Sequence, residues 1–304
     1  MKKTKKKNAI KMAWDDKIFG AVVWILVILV LIVTLYPLIY VFSMSVSDPL
    51  AALRGEVYFL PIGFDLTAIK RVLSDSSIYR YYANTLYYTV MAVVTGIVTT
   101  MLAAYPLSRK NFKHRGLVTI YFTLTMFFSG GLMANYIVVV KFLNLYNSRA
   151  TLTLLGLTTC WYIMVARNFI KALPEDLFDS AKIDGASEFN IFWKVVMPLS
   201  KPVISVLAVH FGVGEWNSYF SAMLYLPNKK LQPLSLYVRH MVIQGNLDSM
   251  LNDLEMVEID LTTILSSLQI KYAVILISVL PLMLMYPIFG KHMKNGLMVG
   301  AIKG

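Results

Sequence analysis

Six stretches of this 304-residue chain are apolar for long enough to cross a lipid bilayer, and they limit every other reading. About 30 Å of hydrocarbon takes roughly 20 helical residues. The stretches run approximately over residues 18–44, 82–107, 117–140, 152–169, 203–224 and 272–289, the fourth being the shortest. In lipid, main-chain N–H and C=O groups must be satisfied within the protein, so each stretch is expected to be a helix. Composition agrees, with 57% of residues hydrophobic and 15% charged, against roughly 25% charged in an ordinary soluble domain. The expected fold class is an all-α polytopic membrane protein with six transmembrane helices. Residues 18–304 form one membrane domain behind a basic tail at 1–17.

A net charge of +12 raises nucleic-acid binding as a possibility, and the distribution of charge argues against it. Lys2, Lys3, Lys5, Lys6, Lys7 and Lys11 crowd the N-terminal tail and form no stripe interleaved with stacking aromatics. Such a tail keeps its end in the cytoplasm, with membrane lipid headgroups as a further contact. Of the 29 Lys and Arg residues, 19 fall in 1–17, 108–116, 167–201 and 290–304. That bias places both termini in the cytoplasm and two long loops, 45–81 and 225–271, outside. The second loop is acidic at Asp248, Asp253, Glu255, Glu258 and Asp260, either as a solvated face or as part of an external cap. The apolar run at 18–44 far exceeds the usual 7–15 residues of a signal peptide and has no small-x-small site directly after it, so it reads as an uncleaved helix. Cys160 is alone in an apolar stretch, which leaves no intrachain disulfide and no thiolate cluster.

The most informative polar segment is 173–202. Pro174 suits a helical first turn, and Glu175 and Asp176 complement the helix dipole there. The helix is predicted to run to about Ile183 and break at Asp184-Gly185, a turn pair. Ser187 then caps a second short helix. On it Phe189, Phe192, Trp193 and Val196 recur at i, i+3, i+4 and i+7 as an apolar stripe. Pro198 and Pro202 mark the return to the membrane. Pattern alone leaves two roles open for this helix–turn–helix: docking a partner through its aromatics, or lying in the lipid interface with them buried.

The same residues resemble the EAA loop of bacterial ABC importer permeases. That pattern is Glu-Ala-Ala, three residues, Gly, and a later Pro; here it reads Asp179-Ser180-Ala181, Asp184-Gly185-Ala186, Phe192 and Pro198. Asp179 stands in place of the usual Glu, keeping the charge with a shorter reach, and Ser180 stands in place of Ala. Nearly the whole chain is similar to the maltose-type carbohydrate permeases, in the branch associated with complex and uronate-containing oligosaccharides. The likeness lies in Ala-Tyr-Pro-Leu-Ser-Arg at 104–109, Met-Phe-Phe-Ser-Gly-Gly-Leu at 126–132, Trp216-Asn217, and the tail 296–304.

The resemblance implies a type I ABC importer permease-like fold in the bacterial plasma membrane. It implies a cytoplasmic coupling loop at about 173–198 in which Asp179, Ala181, Asp184, Gly185, Ala186, Phe189, Phe192 and Trp193 meet an ATPase. The implied partners are a second homologous permease, a cytoplasmic ATPase dimer and an extracellular substrate-binding lipoprotein, with a sugar as cargo. ATP and Mg would then bind on the ATPase chain. In agreement, no G-x-x-x-x-G-K-[ST] phosphate loop is present. No metal-spaced His/Cys/carboxylate cluster or G-x-S-x-G elbow appears, so no catalytic residue, metal or cofactor is expected on this chain.

If the cargo is a sugar, its path needs hydrogen-bonding groups and flat rings inside otherwise apolar helices. In the fifth stretch His210, Gly214, Asn217 and Ser221 fall on one face. Trp216 and Tyr219 flank them and could stack on a sugar's C–H face. Glu215 is an intramembrane carboxylate, costing about 2.5–3.5 kcal/mol even on the lenient insertion scale. It is expected either to line a water-filled pathway or to hold an interface with the second permease. Asn84, Tyr88, Thr95 and Thr99 give a weaker polar face in the second stretch, and 126–131 reads as a close helix approach. Three rivals stand beside the sugar importer: an ABC permease for another solute class, a proton-coupled secondary transporter working through Glu215, and a membrane enzyme such as a glycosyltransferase with its chemistry on the acidic outer loop.

Overall fold

The computed structural model describes residues 14–252 and 268–284. The tail before Trp14, the acidic stretch from Asp253 onward and the 296–304 segment lie outside the described residues. Every regular element among those described is helical. In chain order they are α1 (Trp14–Val46), α2 (Pro49–Leu53), α3 (Thr67–Ser74), α4 (Ser76–Ser108), α5 (Arg115–Phe127), α6 (Gly131–Ile137), α7 (Arg149–Leu155), α8 (Cys160–Lys171), α9 (Asp176–Ile183), α10 (Glu188–Ile191), α11 (Met197–Leu199), α12 (Lys201–Trp216), α13 (Phe220–Tyr225) and α14 (Leu234–Asn252). A last helix, α15, is Leu268–Leu284.

Two compact units emerge, one from residues 14–71 with 268–276 and one from 72–252 with 277–284. In the first, α1 is 33 residues long, and from Ala21 to Ile39 every residue is exposed. Only its last turn is buried, where Met44 packs with Ala51, Ala52 and Val57, and with Tyr40, Leu268 and Tyr272 at the edge.

The second unit is organised around α4. This helix starts six residues earlier than the apolar pattern predicts, because Asp75 caps it by accepting from the Ser77 N–H at 2.8 Å. Its inner face carries small and hydroxyl residues that admit neighbours closely. Gly96 is the tightest point, since a Cβ there would stand 2.8 Å from the Phe211 ring of α12. Met101, Ala104 and Leu107 of α4 form one apolar core with Ile163, Ala166 and Ile170 of α8 and Val203, Leu207 and Phe211 of α12.

Among the described residues two helices, α1 and α4, are uninterrupted and apolar enough to span a membrane; the number reaches five if each bent pair is counted as one span. The sixth expected span is represented by α15, a shorter apolar helix, and its predicted continuation to 289 lies outside the described residues. The bends revise the expected boundaries. Residues 117–140 divide into α5 and α6 with a turn of 115°. There Gly131 sits at φ +77 with open space around it, so this glycine supplies a turn and not the close approach expected of 126–131. Residues 152–169 divide into α7 and α8 at 52°. The fifth stretch ends its helix at Trp216 and resumes as α13, and the expected outer loop 225–271 contains the whole of α14.

At the α7–α8 break α4 supplies a partner to one main-chain carbonyl and to one side chain. Thr99 donates to the Leu157 carbonyl at 2.8 Å, and Thr100 meets the Thr158 hydroxyl at 2.7 Å. Non-helical backbone at membrane depth is tolerated where protein covers it in this way.

The Gly96 contact sets a stability prediction. Gly96→Ala should cost about 1–3 kcal/mol through overpacking, because Phe211 is itself held against Tyr162 with ring centroids 4.8 Å apart. Adding Phe211→Leu should recover much of the loss, as read from the thermal unfolding midpoint of detergent-solubilised protein. Equal destabilisation in the single and double variants would remove the contact as the cause.

Candidate functional site

Between α8 and α12 the chain folds into a compact helix–turn–helix, and its local chemistry explains the shape. Helix α9 ends at Ile183, and the turn is closed by Gly185 N–H donating to the Lys182 carbonyl at 3.0 Å and Ala186 N–H to Ala181 at 2.9 Å. Gly185 takes φ +75, a left-handed conformation that costs an ordinary L-residue roughly 1–2 kcal/mol. Ser187 caps α10, its hydroxyl accepting from the Asn190 N–H at 3.3 Å. A π turn over Phe192–Val196 follows. The chain then reaches α12 through a bend of 78°, with Pro198 and Pro202 in the first turns of α11 and α12.

The π turn divides the aromatic stripe that the sequence shows as one face. Phe192 and Val196 are buried in the core with Ile191 and Phe178, whereas Phe189 is 68% exposed and Trp193 40% exposed. Phe192 is therefore a packing residue, its ring 5.6 Å from Tyr105 and 5.1 Å from Trp193, and not the exposed anchor expected of it. Ile183, at the end of α9, is 86% exposed, and the sequence reading missed it. The only available signal was a β-branched residue directly before the Asp-Gly turn. Ala181 and Ala186 pack partly against the core. Asp179 and Asp184 are exposed, and neither forms an ion pair among the described residues. The exposed apolar side chains of the loop thus include Ile183, two residues before Gly185, and the Phe189–Trp193 pair, whose ring centroids are 6.2 Å apart.

The loop is fastened to the end of α4. The Tyr105 hydroxyl donates to Glu188 Oε2 at 2.5 Å, and Lys182 Nζ lies 3.0 Å from Glu188 Oε1. The Arg109 guanidinium stands over the Phe178 ring at 3.7 Å, and Lys110 pairs with Glu175 at 3.0 Å. The Tyr105 hydrogen bond, then Lys182, hold the Glu188 carboxyl below its ordinary value of 4.5. Lys110 does the same for Glu175. A depressed carboxyl contributes its stabilisation above the ordinary range and loses it as pH falls through the lowered value, so both ties are complete at neutral pH. Between α4 and the loop lies an open groove of about 440 Å³, lined by Leu102, Pro106, Phe112 and Phe189 with Tyr105 and Arg109.

The residues expected along a solute path separate into two groups. Asn84 and Tyr88 are buried and engaged: Asn84 donates to the Lys230 and Gln232 carbonyls at 2.8 and 3.0 Å, and Tyr88 donates to Leu231 at 2.8 Å. Thr85, which the sequence reading passed over, accepts from the Leu234 N–H at 2.7 Å. These side chains staple 230–234 to α4 and offer nothing to a solute. Trp216 is likewise 4% exposed, donating to the Ser278 carbonyl at 3.1 Å. His210, Asn217 and Tyr219 are exposed, and the Arg239 guanidinium lies 5.4 Å from the Tyr219 ring. Glu215 is half-buried beside the α7–α8 break, where a Cβ on Gly156 would stand 3.8 Å from its Oε2. It has no ion pair among the described residues, and no group of metal-ligating side chains occurs among them.

Comparison with known proteins follows the same lines. Residues 92–297 match the family described as binding-protein-dependent transport system inner membrane component. The chain is 32% identical over 272 residues to protein LplC of Bacillus subtilis (strain 168), covering 90% of each chain. It is 29% identical over 289 residues to the polygalacturonan/rhamnogalacturonan transport system permease protein YtcP of the same organism, covering 95% of this chain and 99% of that one. A crystal structure of a bacterial ABC transporter involved in the import of the acidic polysaccharide alginate matches with a TM-score of 0.81 at 30% identity. The match covers 93% of this chain and 99% of that one.

The Gly185 turn can be tested by shape alone, because a Cβ there meets nothing within 4 Å. Gly185→Asn should retain the loop, since Asn tolerates positive φ, whereas the β-branched Gly185→Val should not. Limited proteolysis of the loop in membranes should show Gly185→Val cut at least several-fold faster than the parent and Gly185→Asn cut like it. Equal rates in all three would mean that the turn does not need a left-handed residue.

Proposed function

Because the chain belongs to the family of binding-protein-dependent transport system inner membrane components, we propose that it is the permease subunit of an ABC importer for a uronate-containing oligosaccharide. The observation that carries this reading is the loop at 176–199, an exposed apolar tip of Ile183, Phe189 and Trp193 on a base fastened to the core. Three exposed apolar side chains about one tight turn suit a partner pocket better than water. The partner is a cytoplasmic ATPase dimer that binds ATP and Mg, and its closure draws the loop and the helices above it through alternating access as rigid bodies. A second, similar permease completes the path, and an extracellular binding protein delivers the solute. The uronate preference is taken from the relatives that transport polygalacturonan and alginate. Within this chain the exposed His210, Asn217 and Tyr219 remain available to line the path, with Glu215 at its side or at the interface with the second permease. The basic distribution of the sequence supports both termini in the cytoplasm.

Ile183→Ala and Phe189→Ala should each weaken co-purification of the ATPase, by about 2 kcal/mol where the side chain is a central anchor, and should lower oligogalacturonide uptake while the permease still inserts. Uptake that persists without ATP would transfer the reading to a secondary transporter. For orientation, Lys3→Cys and Lys303→Cys should be protected from an impermeant thiol reagent in intact cells, and Asp253→Cys labelled. Labelling of the two termini from outside would overturn the topology.

A further inference from the structure

Glu188 joins three pieces of the second unit through one carboxylate. Its Oε2 accepts from Tyr105 on α4, its Oε1 pairs with Lys182 at the end of α9, and its own main chain begins α10. The cross-turn pair with Lys182 links the two short helices about Gly185 into one piece. The Tyr105 hydrogen bond then fixes that piece to α4. Apolar packing around Phe178, Ile191 and Phe192 also touches α4, but such contacts are non-directional and allow packed elements to slide in small steps. A hydrogen bond from the hydroxyl of a tyrosine whose ring is packed in the core is directional.

Helix α4 reaches far from this point. Its 33 residues make a rod of about 50 Å at 1.5 Å per residue. Toward the other end, Asn84, Thr85 and Tyr88 are hydrogen-bonded to the main chain of 230–234. Between the two ends, Thr99 and Thr100 hold the α7–α8 break. Few positions along the rod are free to yield.

We infer that Tyr105 and Glu188 are positioning residues for transport, transmitting displacement of the 176–199 loop along α4 to the stapled segment 230–234. This rests on the permease reading above. The transmission fails when the tyrosine hydroxyl is removed, even though Phe at 105 preserves the ring packing against Phe192. Tyr105 takes no part in the exposed tip, so docking of the ATPase does not depend on it.

The test uses the intact complex purified from its native membrane and reconstituted in liposomes, in a Cys160→Ala background carrying Lys229→Cys as an exposed reporter beside the staple. The labelling rate of that cysteine by an impermeant maleimide is measured with and without ATP, together with ATP hydrolysis and ATPase co-purification. In the parent, ATP changes the labelling rate. Tyr105→Phe should keep the ATPase bound and hydrolysing while the labelling response falls about fivefold or more, the lower range of an allosteric coupling. Glu188→Gln keeps an acceptor for the tyrosine and loses the Lys182 ion pair, so it should retain a larger response than Tyr105→Phe. A parental response in Tyr105→Phe overturns the inference, and so does loss of ATPase binding in that variant, which would make the residue a docking determinant. A parent complex with no associated ATPase would instead overturn the permease reading, and the inference with it.

Discussion

A chain in lipid has no water to satisfy stray main-chain groups, and this second unit is built around that requirement. Its helices are interrupted repeatedly, and at the α7–α8 break and at 230–234 it is α4 that supplies hydrogen-bond partners. Thr99 and Thr100 cover the α7–α8 break, Asn84, Thr85 and Tyr88 cover 230–234, and the carbonyl of Leu107 near the end of α4 receives Arg167 at 2.9 Å. The polar residues of α4 are therefore its means of holding the neighbouring elements. Removing α4 would leave the breaks uncovered as well as the core open.

The same helix gives the loop its stiffness. In the proposed docking role an element that bent when pulled would dissipate the motion of its partner, and this loop is tied at Tyr105 in the last turn of α4 and at Arg109 and Lys110 directly after the helix. Exposed ion pairs such as Lys110–Glu175 are individually weak. Their use here is to fix orientation over a core that already supplies the adhesion.

Much of this was legible in the sequence because it depends on local chemistry. The end of α9 at Ile183, the Asp184-Gly185 turn and the Ser187 cap follow from residue types that permit few alternatives. Apolar length located α1 and α4. The breaks at Gly131 and Gly156 were hidden inside apolar runs, since a hydropathy window averages over an interruption of three or four residues. The division of the aromatic stripe was hidden for a different reason: a π turn changes the helical register after the stripe has begun, and no residue type announces it. The roles of Asn84 and Tyr88 could not be read either, because their partners are main-chain groups about 145 residues away that could belong to any sequence. The substrate path is the part least open to sequence reasoning, since a polar side chain in a helix looks the same whether it faces solute or a carbonyl.

That separation along the chain has a consequence in time. Asn84 leaves the ribosome 146 residues before Lys230, whose carbonyl it will hold. At 5–20 residues per second the delay is about 7–30 s, long compared with the microseconds of helix formation. The Arg149 guanidinium, which reaches Asn84 Oδ1 at 3.2 Å, arrives earlier and can occupy one side of the amide. For the rest of that interval the donors of Asn84 and Tyr88 have no final partner, and α4 must wait at the insertion site or beside another polar surface. The nascent permease is most vulnerable in that interval, and the emergence of 230–234 ends it.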